Sequence, residues 1–317
     1  MDFVAFLLSN DPAIRLGFFL GMFGLMAAWE LFAPRRVLGV SKPVRWTHNI
    51  SIAIINVLLV RVLFPSAAVS VAVFAEERGT GLLNMFAIPY PLAFLVSVLA
   101  LDLTMYLVHL MFHAVPALWR VHRMHHADVD FDVTTGARFH PIQILLAVPI
   151  KFAVIFALGL PVLAVLAFEA VFNALSLFNH ANVRIPPAVD RILRWFLVTP
   201  DMHRVHHSVD ATETNSNFSF VLPWWDRLFG TYRAQPEGGH ERMVIGVDSS
   251  ARRETSGLIA CCSNLSAMTP VLMRSTEDGK PADARRLRCA VRATFLERLQ
   301  KSRFFVWVCT ASSFLPT

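Results

Sequence analysis

The sequence predicts an all-α polytopic membrane helix bundle: three long spans, then a helical hairpin, with a helical cap on the cytoplasmic side. Three observations carry that expectation. The 317-residue chain is 55% hydrophobic and 16% charged, with a mean hydropathy of +0.50, well on the apolar side of a soluble domain. Its apolar residues gather in runs of about 20, the length that crosses a hydrocarbon core. Eight of its twelve histidines fall in three short clusters at or between those runs.

The first span is Ala13 to Phe32. No basic stretch precedes it and no small-residue cleavage site is clear, so a cleaved signal peptide is not expected. The second runs from Ser51 to Ala75, interrupted by Arg61 and Pro65, and the third from Ile88 to Phe112. Arg35, Arg36, Lys42 and Arg45 fill the loop between the first two spans, which marks that loop as cytoplasmic. The loop around Glu76, Glu77 and Arg78 then faces outward. The third span returns, bringing His109 and His113 to its cytoplasmic end.

Between Ile142 and Asn179 the chain is apolar again, with Gly159-Leu160-Pro161 near the middle. Histidine clusters flank this run and must share one site, so it crosses an even number of times. A tight hairpin broken at Gly-Leu-Pro meets that need. Arms of about 18 residues fit two full spans or a re-entrant hairpin. Lys151 and Glu169 are costly in lipid and are expected to face protein, water or a membrane boundary, a snorkelling Lys151 being preferred to a functional one. Arg184 to Arg233 is polar and aromatic without a spanning run, which makes it the cap.

Beyond Val247 the character changes. All four cysteines lie there, with no CxxC pair, so neither a zinc knuckle nor a disulfide framework is supported. Residues 251–317 carry eleven Lys and Arg against five Asp and Glu, which equals the whole-chain excess of +6. The pI near 9.5 is therefore a property of this tail and not evidence for nucleic-acid binding. The tail reads as a poorly ordered basic segment near an anionic membrane face.

The histidine spacing carries chemistry. Residues four apart on a helix share a face, with Cβ atoms roughly 5–6 Å apart. His109 and His113 can therefore reach one metal, and His122-xx-His125-His126 and His203-xx-His206-His207 present the same fork twice. Neutral imidazole is the commonest metal ligand and suits zinc, copper, iron and nickel alike. Eight imidazoles are too many for one tetrahedral ion, so two metals in one site is the economical reading. His48 and His240 lie outside every cluster and are expected at the surface.

In chain order, His109-xxx-His113, His122-xx-His125-His126, Arg138-x-His140-Pro141, His180-x-Asn182, His203-xx-His206-His207 and Trp225-Asp-Arg-Leu-Phe-Gly-Thr231 stand in this sequence. This set resembles the fatty acid hydroxylase/sterol desaturase superfamily over roughly residues 95–233. Residues 1–94 then form N-terminal transmembrane helices and 234–317 the basic tail, with the resemblance ending beyond Gly246. It implies a multi-pass, membrane-embedded non-haem di-iron oxygenase whose site faces the cytoplasm. It further implies two Fe ions, O2 as co-substrate, and a fatty acyl, sterol or related lipid whose C–H bond is hydroxylated or desaturated. Iron rather than zinc comes from the resemblance, not from the spacing.

Carried over, the implied ligands are His109, His113, His122, His125, His126, His203, His206 and His207. His180 is added as a ninth and His140 as a tenth, or both stand behind the ligands. Asp102 and Tyr106 lie seven and three residues before His109 on one helical face and are the candidate catalytic side chains. A ligating histidine gives its other N–H to a carboxylate or carbonyl, and Asp102 is placed to accept it, an interhelical hydrogen bond being the alternative. Trp225, Phe229 and Gly230 read as a packing corner. With no flavin fingerprint, haem motif or ferredoxin-type cysteine array, the electrons are expected from a separate donor protein. Two rivals remain. A membrane metal-dependent hydrolase wants a carboxylate base beside its ligands, which neither box supplies. A metal-ion transporter places its ligands near mid-bilayer, whereas these sit at a helix end and in polar segments.

Overall fold

The cap reaches into the bundle, and the elements that allow this follow from the sequence in order. In the computed structural model the described residues are 6–7, 10–64, 68–86 and 88–247. Among them the secondary structure is helical, with two isolated antiparallel bridges, Pro34–Val183 and Ser208–Ile245, and no strand. The long elements are α1 (Asp11–Phe32), α2 (Lys42–Leu63) and α3 (Ala68–Glu77), then the short α4 (Leu82–Met85) and α5 (Tyr90–Ala114). After them come α6 (Pro116–His126), a 3-10 turn (Val133–Ala137), and the hairpin arms α7 (Pro141–Leu158) and α8 (Val162–Asn179). Short helices complete the cap: α9 (Pro187–Leu193), α10 (Pro200–His206), α11 (Ala211–Thr214), α12 (Trp224–Phe229) and α13 (Gly239–Arg242).

Five stretches are long and apolar enough to cross a membrane by length and composition: Ala13–Phe32, Lys42–Met85, Tyr90–Ala114, Pro141–Leu158 and Val162–Asn179. Leucine, valine and phenylalanine lie exposed on their outer faces, including Leu16, Phe18, Leu58, Val62, Leu92 and Leu95. Such a face is stable only against lipid.

The second helix differs from expectation. The span read as 51–75 is divided between α2 and α3, with α2 ending two residues before Pro65, where a helical conformation is sterically disfavoured. At its start α2 runs nine residues further upstream, entered through Ser41 with Pro43 in its first turn. Arg45, Asn49, Ile52 and Asn56 form a buried stripe at spacings of four, three and four. Lys42 and Arg45 therefore belong to a helix and not to a loop. Lys42 meets Glu30 at 3.3 Å, Arg45 pairs with Asp128 and Asp132, and Arg35 pairs with Asp201 and Glu241.

The hairpin is broken where the sequence says. Gly159 adopts φ +65 at the end of α7, and Gly81 in the preceding loop has φ +94. A Cβ on Gly159 would lie 2.4 Å from the Thr80 carbonyl, so glycine is what lets the α3–α4 turn touch the hairpin tip. Each arm has 18 residues, about 27 Å of helix. α8 is the central post, packed by α1, α3 and α5. The largest core cluster joins Leu101, Ile155, Leu160, Val165 and Phe168 to Phe220 and Val221 of the cap.

Three sequence readings need correction here. Lys151 does not snorkel: Lys151 and Arg15 both close on Glu169, forming an internal ion cluster across α1, α7 and α8. Residues 234–247 are not part of a loose tail. Val209 N–H donates to the Val244 carbonyl at 3.0 Å, and Gly246 N–H to the His207 carbonyl at 3.0 Å. Met243 and Ile245 pack against Phe131, and His240, expected at the surface, is buried beside Asp201. The reading of 251–317 falls outside the described residues.

Candidate metal centre

His109 and His113 sit on the last two turns of α5, and Val115-Pro116 turns the chain directly into α6. That helix delivers His122, His125 and His126; α8 ends at His180, and α10 carries His203 and His206, followed by His207. Nine imidazoles converge in two groups. One holds His109, His113, His122, His126 and His206, the other His125, His180, His203 and His207, with ligand nitrogens within 4.8 Å of one another in each. All are buried except half-buried His113.

The rings are aimed by their outer nitrogens. A carbonyl oxygen only accepts, so a ring nitrogen touching one must carry the proton. Nδ1 of His109 donates to the Phe218 carbonyl (2.7 Å) and Nδ1 of His125 to that of Arg138 (3.1 Å). His180 donates to Ser176 (2.7 Å) and His206 to Ser216 (2.7 Å). His122 Nδ1 likewise donates to the Gln143 side-chain oxygen at 3.0 Å. These bonds fix the tautomer and leave Nε2 as an inward lone pair.

The inward nitrogens face each other. His109 Nε2 lies 3.1 Å from His122 Nε2, and His126 Nε2 is 3.2 Å from the same atom. In the second group His180 Nε2 is 3.2 Å from His125 Nε2 and 3.1 Å from His203 Nε2. Two lone pairs at that separation repel unless a cation lies between them. Imidazoles bound at about 2.0–2.1 Å to one ion stand about 2.8–3.4 Å apart for angles between right and tetrahedral. Both ring nitrogens of His207, Nδ1 of His203 and Nδ1 of His126 are buried without a hydrogen-bond partner among the described residues. Burial pushes the His122 and His180 rings down to about 4, and His206 to about 3. Rings held neutral in this way are what a divalent ion requires. The donor set fits a first-row metal, with no carboxylate or thiolate in either group.

A layer of polar residues holds this arrangement. Arg45 grips Asp128 through two bonds of 2.8 and 2.7 Å, and Asn49 reaches Asp128 (3.0 Å) and Thr134 (2.9 Å). Arg138 donates to Asn49 at 2.8 Å and to the Met124 carbonyl at 3.0 Å, which sets the carbonyl that receives His125. Gly136 lets the 3-10 turn lie against α8: a Cβ there would be 2.7 Å from the Ser176 carbonyl. Asp226 takes the Phe218 and Ser219 N–H groups at 2.8 and 3.0 Å, fixing the carbonyl opposite His109.

Three of the residues read from the sequence lie elsewhere. Asp102 accepts from Trp225 Nε1 (2.9 Å) and Leu222 N–H (3.1 Å), not from a histidine. The Tyr106 hydroxyl bonds to Thr231 at 3.0 Å, and its ring stacks on Phe229. Both belong to the packing corner that Trp225 and Phe229 form. His140 is in neither group; its Nδ1 accepts from Ile142 N–H at 3.1 Å and caps α7. Sequence reasoning missed Gln143, Arg45, Asn49 and Asp128. The polar stripe on apolar α2 was the available signal for Arg45 and Asn49, whereas the carbonyls of Phe218 and Ser216 leave no side-chain signature at all.

Fold and site together describe a bundle of helices apolar and long enough to cross a membrane, closed at one end by nine imidazoles that could hold metal. Residues 94–231 match the family model described as Fatty acid hydroxylase, so this segment of the chain is similar to that family. Ornithine lipid hydroxylase OlsE of Rhizobium tropici is 32% identical over 149 residues, which cover 46% of this chain and 44% of that protein. Alkylglycerol monooxygenase of Homo sapiens is 32% identical over 169 residues, 52% of this chain and 35% of that protein. Very-long-chain aldehyde decarbonylase GL1-6 of Oryza sativa subsp. indica is 28% identical over 145 residues, 42% and 22% respectively. The chain spans less than half the length of these relatives. No solved structure matches it.

Proposed function

We propose that this chain is a membrane-bound non-haem di-iron oxidoreductase that uses O2 to hydroxylate a lipid C–H bond. The observation that carries the reading is the convergence of nine neutral imidazoles in two groups at the end of an apolar bundle. His109, His113, His122, His126 and His206 would hold one iron, and His125, His180, His203 and His207 the other. When bound, such a pair supplies dioxygen reduction and C–H oxidation. The protein's part is to keep each Nε2 unprotonated and inward through the carbonyl bonds of His109, His125, His180 and His206, and to exclude water by burial. The balance is one lipid C–H, one O2, two electrons and two protons giving one alcohol and one water. A separate donor protein delivers the electrons. Hydroxylation is preferred to desaturation because matched relatives are named lipid hydroxylase and monooxygenase. A hydrolase would need a carboxylate base among the ligands, and neither group contains one.

The histidine end is assigned to the cytoplasm, with residues 76–86 outside. Sidedness is read by labelling single cysteines at positions 80 and 211 in intact membranes, and labelling of both from the same side refutes the assignment. The chemistry is tested on detergent-purified protein loaded with iron anaerobically. Two irons per chain, and labelled oxygen passing from O2 gas into a lipid alcohol once a reductant is added, are the expected results. One metal per chain removes the paired-iron reading, and anaerobic ester or ether cleavage without oxygen uptake replaces the oxygenase with a hydrolase.

A further inference from the structure

The cap carries an apolar face that nothing in the described chain covers. Ile192 (63% exposed), Trp195 (57%) and Phe196 (62%) lie beside Trp224 (46%) and Leu228 (61%). They form one patch: the Trp224 indole N–H donates to the Trp195 carbonyl at 2.7 Å, and Leu228 follows Trp224 by four residues on α12. Two tryptophans, a phenylalanine and two aliphatics in one exposed group are far from ordinary surface.

Its depth is set by α5. The α12 region meets that helix at Asp102, through Trp225 and Leu222, and at Tyr106, through Phe229 and Thr231. Those contacts lie eight to twelve residues before the end of α5 at Ala114, about 12–18 Å along the axis from that end. The 25-residue helix is about 37 Å long against a hydrocarbon core of about 30 Å, so with its histidine-bearing last two turns at the polar edge these contacts fall just inside the boundary. Helix α5 itself exposes Leu92, Leu95 and Leu107. Arginine flanks the patch: the Arg227 guanidinium stacks 4.4 Å from the Trp195 ring centre and 4.0 Å from that of Tyr232, and exposed Arg191 lies on α9. Indole rings with arginine beside them match the boundary between acyl chains and headgroups, where a ring buries its body and the cation reaches phosphate.

We propose that this face rests in the headgroup–acyl boundary of the bilayer leaflet nearest the histidines, a second membrane anchor that fixes the cap's height relative to the spans. The proposal uses only the membrane placement of α5 and stands whether the metal centre hydroxylates or does something else. It follows that the cap cannot rise from the bundle without drawing two tryptophans out of lipid.

The test uses the full chain with its four native cysteines replaced by serine, reconstituted into phosphatidylcholine vesicles. Single cysteines are placed at Ile192, Leu228, Leu95 and Ala211 and labelled with an environment-sensitive nitrobenzoxadiazole dye. Labels at Ile192 and Leu228 are expected to emit to the blue of Ala211 and to be quenched by a shallow nitroxide lipid, but not by aqueous iodide. Leu95 should respond to a deep nitroxide lipid. Iodide quenching at Ile192 and Leu228, with Leu95 still lipid-quenched, overturns the anchor while leaving the spans in place. Protection at both positions from iodide and from nitroxide lipid also overturns it, in favour of a protein contact with a second copy or a partner. Iodide quenching at Leu95 removes the membrane placement itself, and the anchor with it.

Discussion

Helix α5 carries two polar pairs two turns apart, Asp102 with Tyr106 and His109 with half-buried His113, and their contacts differ in kind. At Asp102 and Tyr106 donors meet acceptors: one Asp102 carboxylate oxygen takes the Trp225 indole and the Leu222 N–H, and the Tyr106 hydroxyl meets Thr231. At His109 and His113 the outer nitrogen of the first ring is matched, but its inner nitrogen faces another ring nitrogen at 3.1 Å. A matched buried pair holds a fold together. A crowd of buried acceptors facing one another is stable only with a cation among them. That contrast separates the packing corner from the metal cradle, although both lie on one face of one helix.

The largest expected effect comes from breaking the cradle. His206→Ala should abolish turnover while the protein inserts at near-normal abundance, since His206 is on short α10 and not in a spanning helix. Iron content should fall alongside, and half-buried His48→Ala is the silent control. Activity equal to wild type in the His206 variant would remove this ring from the centre.

Next comes the polar layer behind the cradle. Arg45→Met leaves Asp128 and Asp132 as buried carboxylates without their cation, and breaking such a pair costs about 3–5 kcal/mol. A large fall in melting temperature in detergent is expected. An unchanged melting temperature would mean that the Arg45 network does not hold the 127–138 segment.

Removing the corner should cost less and spare the metal. Asp102→Ala strands the Trp225 indole and the Leu222 N–H, each about 1–3 kcal/mol, yet iron content should stay at the wild-type level. Loss of metal without loss of stability would return Asp102 to the cradle. Tyr106→Phe removes a single hydroxyl bond, about 1 kcal/mol, and turnover should stay near wild type. Abolished turnover with both metals retained would restore Tyr106 to the candidate catalytic side chains.

The gentlest probe is pH, applied to the metal-free protein. In the folded chain His122 and His180 titrate near 4 and His206 near 3, against about 6.5 when unfolded. Between these values the unfolded chain binds more protons, so stability is full above pH about 6.5 and declines as pH falls towards 4. Denaturant midpoints of metal-free protein should be lower at pH 5 than at pH 7.5. A midpoint that is flat or rises on acidification would contradict the neutral, buried state of these rings.

Much of this was legible in the chain. Spans and the hairpin follow from apolar length, and the Gly159-Leu160-Pro161 break from backbone chemistry. The three histidine clusters follow from helical periodicity, because a spacing of three or four is a local property that survives in any tertiary setting. Partners across the chain were not legible. That Asp102 meets Trp225 and not His109, that Arg45 leaves its loop to bind Asp128, that His180 joins a ligand group while His140 caps a helix: each is decided by residues tens of positions away. His240 is buried for the same reason, because residues 234–247 return to the cap. Periodicity tells which face of a helix a residue occupies; only packing decides which neighbour that face meets, and so which buried polar groups are matched and which wait for a metal.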